Sequence, residues 1–155
     1  MTTANDRSNG GTTAYGALVL RLTLGFALLT HGLYLKVFVF TMAGTVAFFE
    51  SVGLPGALAW AVMLLETFGG AALVLGIGVR VAALALVPVL LGATWAHWDS
   101  GWLFENAGGG WEYPAFWALA LVAQSLLGPG ALAVRIAHRG GAHGRGTASQ
   151  VLARS

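Results

Sequence analysis

Along this chain, long uncharged apolar blocks alternate with short polar or glycine-rich breaks. The first block, Tyr15–Lys36, has 22 residues and is interrupted only by Arg21 and His31. At about 1.5 Å of rise per residue it reaches about 33 Å, enough for a hydrocarbon core of roughly 30 Å. Residues 37–52 are apolar but end in Glu50 and the turn Gly53-Leu54-Pro55, which predicts an interfacial or re-entrant segment. A second span follows over 55–76, since a proline is tolerated where a helix begins. Gly76-Ile77-Gly78-Val79-Arg80 is a hairpin signal, and a third span over 79–98 carries Pro88 near its middle, where a kink is expected. Residues 99–112 combine acids, glycines and tryptophans, the composition of a loop at the headgroup level. A fourth span over 113–128 ends at Gly128-Pro129-Gly130, and a short apolar piece to Ala137 lies at the interface. Residues 1–13 and 138–155 are too polar to bury and are expected to be disordered tails. The pattern predicts an all-α fold: a polytopic membrane four-helix bundle over residues 14–137.

Composition agrees: 57% of the residues are hydrophobic and 9% charged, against roughly 25% charged in a soluble domain. The chain contains no cysteine. Thiolate nucleophiles, disulfide relays, iron–sulfur clusters and cysteine zinc sites are therefore excluded for this chain acting alone. No basic, aromatic-studded face suits a nucleic acid, and the first residues lack the three-part pattern of a signal peptide. Arg7, Arg80, Arg135, Arg139, Arg145 and Arg154 fall beyond one set of helix ends, with Lys36 alone near the other. The positive-inside rule then places both termini and the hairpin around Arg80 in the cytoplasm.

Glu66 is the one carboxylate inside an apolar helix. A charge at the bilayer centre costs roughly 2.5–3.5 kcal/mol on insertion scales, so Glu66 requires a partner, a proton or a polar cavity. Helical rise places Arg21 about 9 Å and Glu66 about 15 Å from the same membrane face, so the two are expected to form a structural pair. Arg21, Gly25, Leu28, Gly32 and Lys36 recur on one face of the first helix, and Met63, Glu66, Gly70 and Leu73 on one face of the second. Small residues there let helices approach closely. Packing explains these glycines more simply than a ligand does. His31 and His97 fall toward the outer helix ends. With Lys36, Glu66 and Glu112 they form a candidate ligand or proton site, although interfacial packing and helix–helix hydrogen bonds account for the histidines equally. No metal-ligand spacing on a helix is present, and no metal site is assigned. Gln124 reads as interhelical glue.

The order Arg21-x3-Gly25, His31-Gly32-x3-Lys36, Phe48-Phe49-Glu50-Ser51-Val52-Gly53-Leu54-Pro55, Glu66-x2-Gly69-Gly70, Arg80-Val81-Ala82-Ala83, Gly109-Gly110-Trp111-Glu112-Tyr113-Pro114 and Gly128-Pro129-Gly130 resembles the DoxX family of small membrane proteins. The resemblance covers about residues 14–137. It implies a multi-pass protein of the plasma membrane, and it implies function through the related DoxD subunit of a thiosulfate:quinone oxidoreductase and through relatives in thiol and oxidative-stress handling. The implied role is a membrane subunit of, or accessory to, an oxidoreductase complex, rather than a complete enzyme. Quinone is the implied cofactor, and the bilayer, a redox protein and a second copy of the chain are the implied partners. Two other roles fit the residues: a non-catalytic scaffold or assembly protein, and a small proton-coupled transporter using Glu66.

Overall fold

We describe residues 4–134 of a computed structural model, with side chains from Gly11 onward. These residues form five α-helices and no strand: α1 (Ala4–Leu29), α2 (Thr41–Ser51), α3 (Ala57–Leu75), α4 (Val79–Ala96) and α5 (Glu112–Leu127). A π-helical segment, Thr30–Val39, continues α1 without a break, and a single 3-10 turn, Trp98–Ser100, follows α4. Three stretches, Gly11–Val39, Ala57–Leu75 and Val79–Ala96, are long and apolar enough to cross a membrane. The fourth expected span corresponds to α5, whose 16 residues reach about 24 Å against a core of roughly 30 Å. It is a shorter helix laid along α4.

Two boundaries differ from the sequence expectation. The sequence predicts a tail over residues 1–13, yet α1 begins at Ala4; adding residues to an existing helix is far easier than starting one. Val37–Val39, expected in the interfacial segment, complete the first long helix. The chain turns at Thr41, a non-glycine residue at φ 62°, whose hydroxyl accepts the Gly44 N–H at 3.2 Å and so caps the start of α2. The expected C-terminal tail, 138–155, lies outside the described residues.

The hairpin between α3 and α4 is built by backbone chemistry. Gly76 ends α3 in the left-handed conformation at φ 74°. Ile77 N–H donates to the Ala72 carbonyl at 2.9 Å and Gly76 N–H to Leu73 at 3.1 Å, the paired bonds that satisfy the last carbonyls of a helix. α4 then runs unbroken through Pro88.

Leu24, Leu28, Leu73, Val79, Ala83, Leu86, Leu90, Ala118 and Leu121 form the buried core. Around it, Phe26, Phe68, Val81, Phe116 and Leu119 point outward, each more than half exposed, as side chains facing lipid must. The two glycine-bearing faces meet. A Cβ at Gly25 would lie 3.0 Å from the Gly70 carbonyl oxygen, and one at Gly70 would lie 2.9 Å from the Gly25 carbonyl oxygen. α1 and α3 therefore touch backbone to backbone, an approach that only glycine permits. Gly69 instead receives Leu86 of α4. The glycines flanking Glu66 are packing devices.

Candidate functional site

The antiparallel contact of α1 and α3 fixes which polar side chains can meet. Gly25 faces Gly70, Gly32 faces Glu66 and Thr67, and Arg21 lies beside Gly76. Glu66 is therefore level with the π-helical segment, roughly 16 Å along the bundle from Arg21 at helical rise. It pairs with Lys36: Nζ lies 2.5 Å from the Glu66 carboxylate, with the two side chains 15% and 8% exposed. Lys36 Nζ also donates to the His31 carbonyl at 3.5 Å.

The predicted Arg21–Glu66 pair is not formed. Arg21 is 1% exposed, and its Nη1 donates to the Pro129 carbonyl at 2.9 Å. Helical rise counted from each helix's own end leaves out the offset between the two helices. α1 extends well beyond the end of α3, so the α3 terminus at Gly76 is level with Arg21, and Glu66 is level with Gly32, about one turn before Lys36.

The π-helical winding is part of how the pair is made. Its i to i+5 bonding, seen in the Phe40 N–H to Leu35 carbonyl bond at 2.8 Å, changes the angle at which successive side chains leave the axis. Gly32 within it is buried against Glu66 Cβ, so the carboxylate enters a cradle with no competing side chain. Lys36 then closes over it from one turn further along.

His31 neighbours this pair and adds an aromatic connection. Its ring meets Trp117 of α5 edge-on at 5.0 Å between centroids, Trp117 contacts Tyr113 at 5.2 Å, and Tyr113 contacts Phe104 at 5.9 Å. A line of rings thus runs from His31 to the 97–112 loop. Sequence reasoning missed Trp117, which looked like one more apolar residue of the fourth span.

His97 and Glu112 belong to that loop and not to the pair. His97 Nδ1 bonds the Gly108 carbonyl at 2.9 Å and its ring stacks on Phe48 at 5.9 Å. Glu112 accepts the Phe104 N–H at 3.1 Å. Trp98 stacks on Trp111 at 4.8 Å, and Trp102 meets Trp111 edge-on at 4.5 Å. Of the candidate residues, the structure brings together His31, Lys36 and Glu66, while His97 and Glu112 hold the loop in shape. Among the described residues no group of three His, Cys, Asp or Glu side chains is placed to hold a metal ion.

Two cavities are present elsewhere. One of about 160 Å³ lies between α3 and α4 at Phe68, Gly69 and Leu86. The other, of about 450 Å³, lies at the α3–α4 hairpin beside Arg80 and Pro129. Neither is lined by Lys36 or Glu66.

Compared with known proteins, residues 16–98 match the family model described as DoxX, which is more than half of the chain. Arg21, Lys36, Glu66 and Arg80 all fall inside the matched stretch. A protein of Bacillus subtilis (strain 168) named "Putative oxidoreductase CatD" is 33% identical over 78 residues, which are 50% of this chain and 56% of that protein. The match thus spans little more than half the length of that relative. No solved structure matches the chain.

Proposed function

Because the chain belongs to the DoxX family, we propose that it is a membrane subunit of, or accessory to, an oxidoreductase complex. Its electrons would pass through a quinone or a thiol-handling redox partner rather than through the chain itself, which has no cysteine. The oxidoreductase name of the Bacillus subtilis relative supports this reading. The observation that carries it is the Lys36–Glu66 pair at 2.5 Å, set beside His31 and reached by the ring series from the loop. In this reading the rings form the face against which a quinone or a partner docks, and the pair supplies a hydrogen bond or a proton there. The four-helix arrangement and its place in the cytoplasmic membrane belong to the same proposal and rest on the family, while the cytoplasmic position of both termini rests on the distribution of arginines.

The test is isolation from native membranes in mild detergent, with bound quinones and proteins identified by mass spectrometry. Recovery of a quinone or a redox protein that is lost on Trp117→Ala or Lys36→Met is the expected result. A chain that retains neither would overturn the proposal.

One observation favours a second reading, a non-catalytic scaffold. Glu66 is satisfied by Lys36, and neither cavity reaches them.

A further inference from the structure

Among the side chains described from Gly11 onward, the end of the bundle remote from the Lys36–Glu66 pair carries two guanidinium groups and no acid. The 450 Å³ cavity there is lined by Gly76, Val79, Arg80, Val81, Pro129 and Ala133, among others. Arg80 is exposed, and its guanidinium lies flat against Gly128, where a Cβ would stand 3.3 Å from Nε and Nη2. It has no ion pair among the described residues. Arg21 stands behind the same wall. Its Nη1 bonds the Pro129 carbonyl and packs on Gly76, two residues that line the cavity. Its Nε is buried with no hydrogen-bond partner, in a side chain 1% exposed.

A buried cation without a counter-ion is costly, and a single carbonyl does not neutralise it. The carboxylates of the described helices and loops cannot do so. Glu66 is engaged by Lys36, Asp6 lies in the first turns of α1, roughly 22 Å of helix before Arg21, and at the opposite end Glu50 sits in the last turn of α2, Asp99 and Glu105 follow α4 and Glu112 opens α5. No Asp or Glu follows Glu112 in the sequence, and residues 135–155 add Arg135, Arg139, Arg145 and Arg154. No side chain described from Gly11 to Val134 supplies the anion, and one from outside the chain can.

We propose that this cavity binds the phosphate of an anionic phospholipid, held by Arg80 and by the charge of the buried Arg21. Two features select a lipid over free phosphate. The cavity walls are largely aliphatic, from Val79, Val81 and Ala133. Beyond them Val81, Leu84 and Leu91 of α4 present an exposed apolar face, at 75%, 55% and 55% exposure, along which acyl chains can lie. α4 begins at Val79 on the cavity wall, and a helix start favours an anion. The inference requires only that the chain lies in a membrane, and it stands apart from any redox role.

The full-length protein, reconstituted in nanodiscs of phosphatidylcholine with one fifth phosphatidylglycerol, provides the test. After transfer to mild detergent, retained lipids are counted by native mass spectrometry. Phosphatidylglycerol should be retained over phosphatidylcholine, and Arg80→Gln should lower that preference by about fivefold, the factor for one basic side chain at an anionic surface. Circular dichroism confirms that the variant keeps its helices. Arg21→Gln, where it folds, should lower the preference further. Equal retention of the two lipids by the wild type, or an unchanged preference in Arg80→Gln, would overturn the proposal. So would displacement of phosphatidylglycerol by millimolar inorganic phosphate, which would identify the site as one for free phosphate.

Discussion

Arg21 and Lys36 project from the same face of one continuous helix, and the bundle treats them differently. Lys36 meets a carboxylate at 2.5 Å, in a cradle that Gly32 leaves open and that the π-helical segment brings into line. Arg21 is the more deeply buried of the two, yet it meets a backbone carbonyl and leaves Nε unpaired. Among the described residues, the first charge is neutralised by a carboxylate and the second is not. One end of the bundle is therefore a closed electrostatic unit, suited to locking helices or to exchanging a proton with a docked partner. The other retains positive charge that an anion from the surroundings can neutralise.

The largest effect should come from splitting the closed pair. Glu66→Ala leaves Lys36 buried without a counter-charge, which costs about 3–5 kcal/mol in buried pairs of this kind. Denaturant titration in mixed micelles should show a loss of that size. A well-packed apolar replacement of both partners, Lys36→Met with Glu66→Met, should restore most of it. If the restored protein also recovers its quinone or redox partner, the pair is a lock and nothing more; if it folds without that recovery, the pair is part of the docking site. Next in size is Gly70→Val. Its Cβ would meet the Gly25 carbonyl at 2.9 Å, and forcing α1 from α3 should cost about 1–3 kcal/mol by the same titration. Because Glu66 and Lys36 are set by that contact, this variant should also loosen the pair. At the other end, Gly76→Ala faces both the φ of 74° and the Arg21 guanidinium. It should cost about 1 kcal/mol or more, and a neutral thermal shift would show that the hairpin can relax.

Much of this was legible in the residue order. Apolar block lengths placed α3 and α4 to within a residue or two, because turn chemistry at Gly53-Leu54-Pro55 and Gly76-Ile77-Gly78 marks their ends locally. The stripe from Arg21 to Lys36 is the buried face of α1, as its spacing requires. What the sequence could not supply was the relative height of α1 and α3, since each helix was measured from its own end and α1 overran its expected start. That offset decided which cation reached Glu66. The signal that would have found it is the glycine contact: setting Gly25 against Gly70 brings Glu66 beside Gly32 and leaves Arg21 at the hairpin. The π-helical winding and the contact of Trp117 with His31 have no such signal, because both depend on how the third dimension of the bundle closes.

The smallest expected effect is the most direct check of the register. If Arg21 and Glu66 lie roughly 16 Å apart on the bundle, Arg21→Met and Glu66→Gln should act independently. Sites separated by more than 7–10 Å with no shared partner add to within about 0.3–0.5 kcal/mol, so their double-mutant cycle should close to that margin. The cycle of Lys36→Met with Glu66→Gln should not close, because those groups are in contact. A coupling above about 1 kcal/mol between Arg21 and Glu66 would mean that the two ends share one electrostatic unit. Arg21 would then no longer need an external anion, and the division between a closed end and an open end would fail.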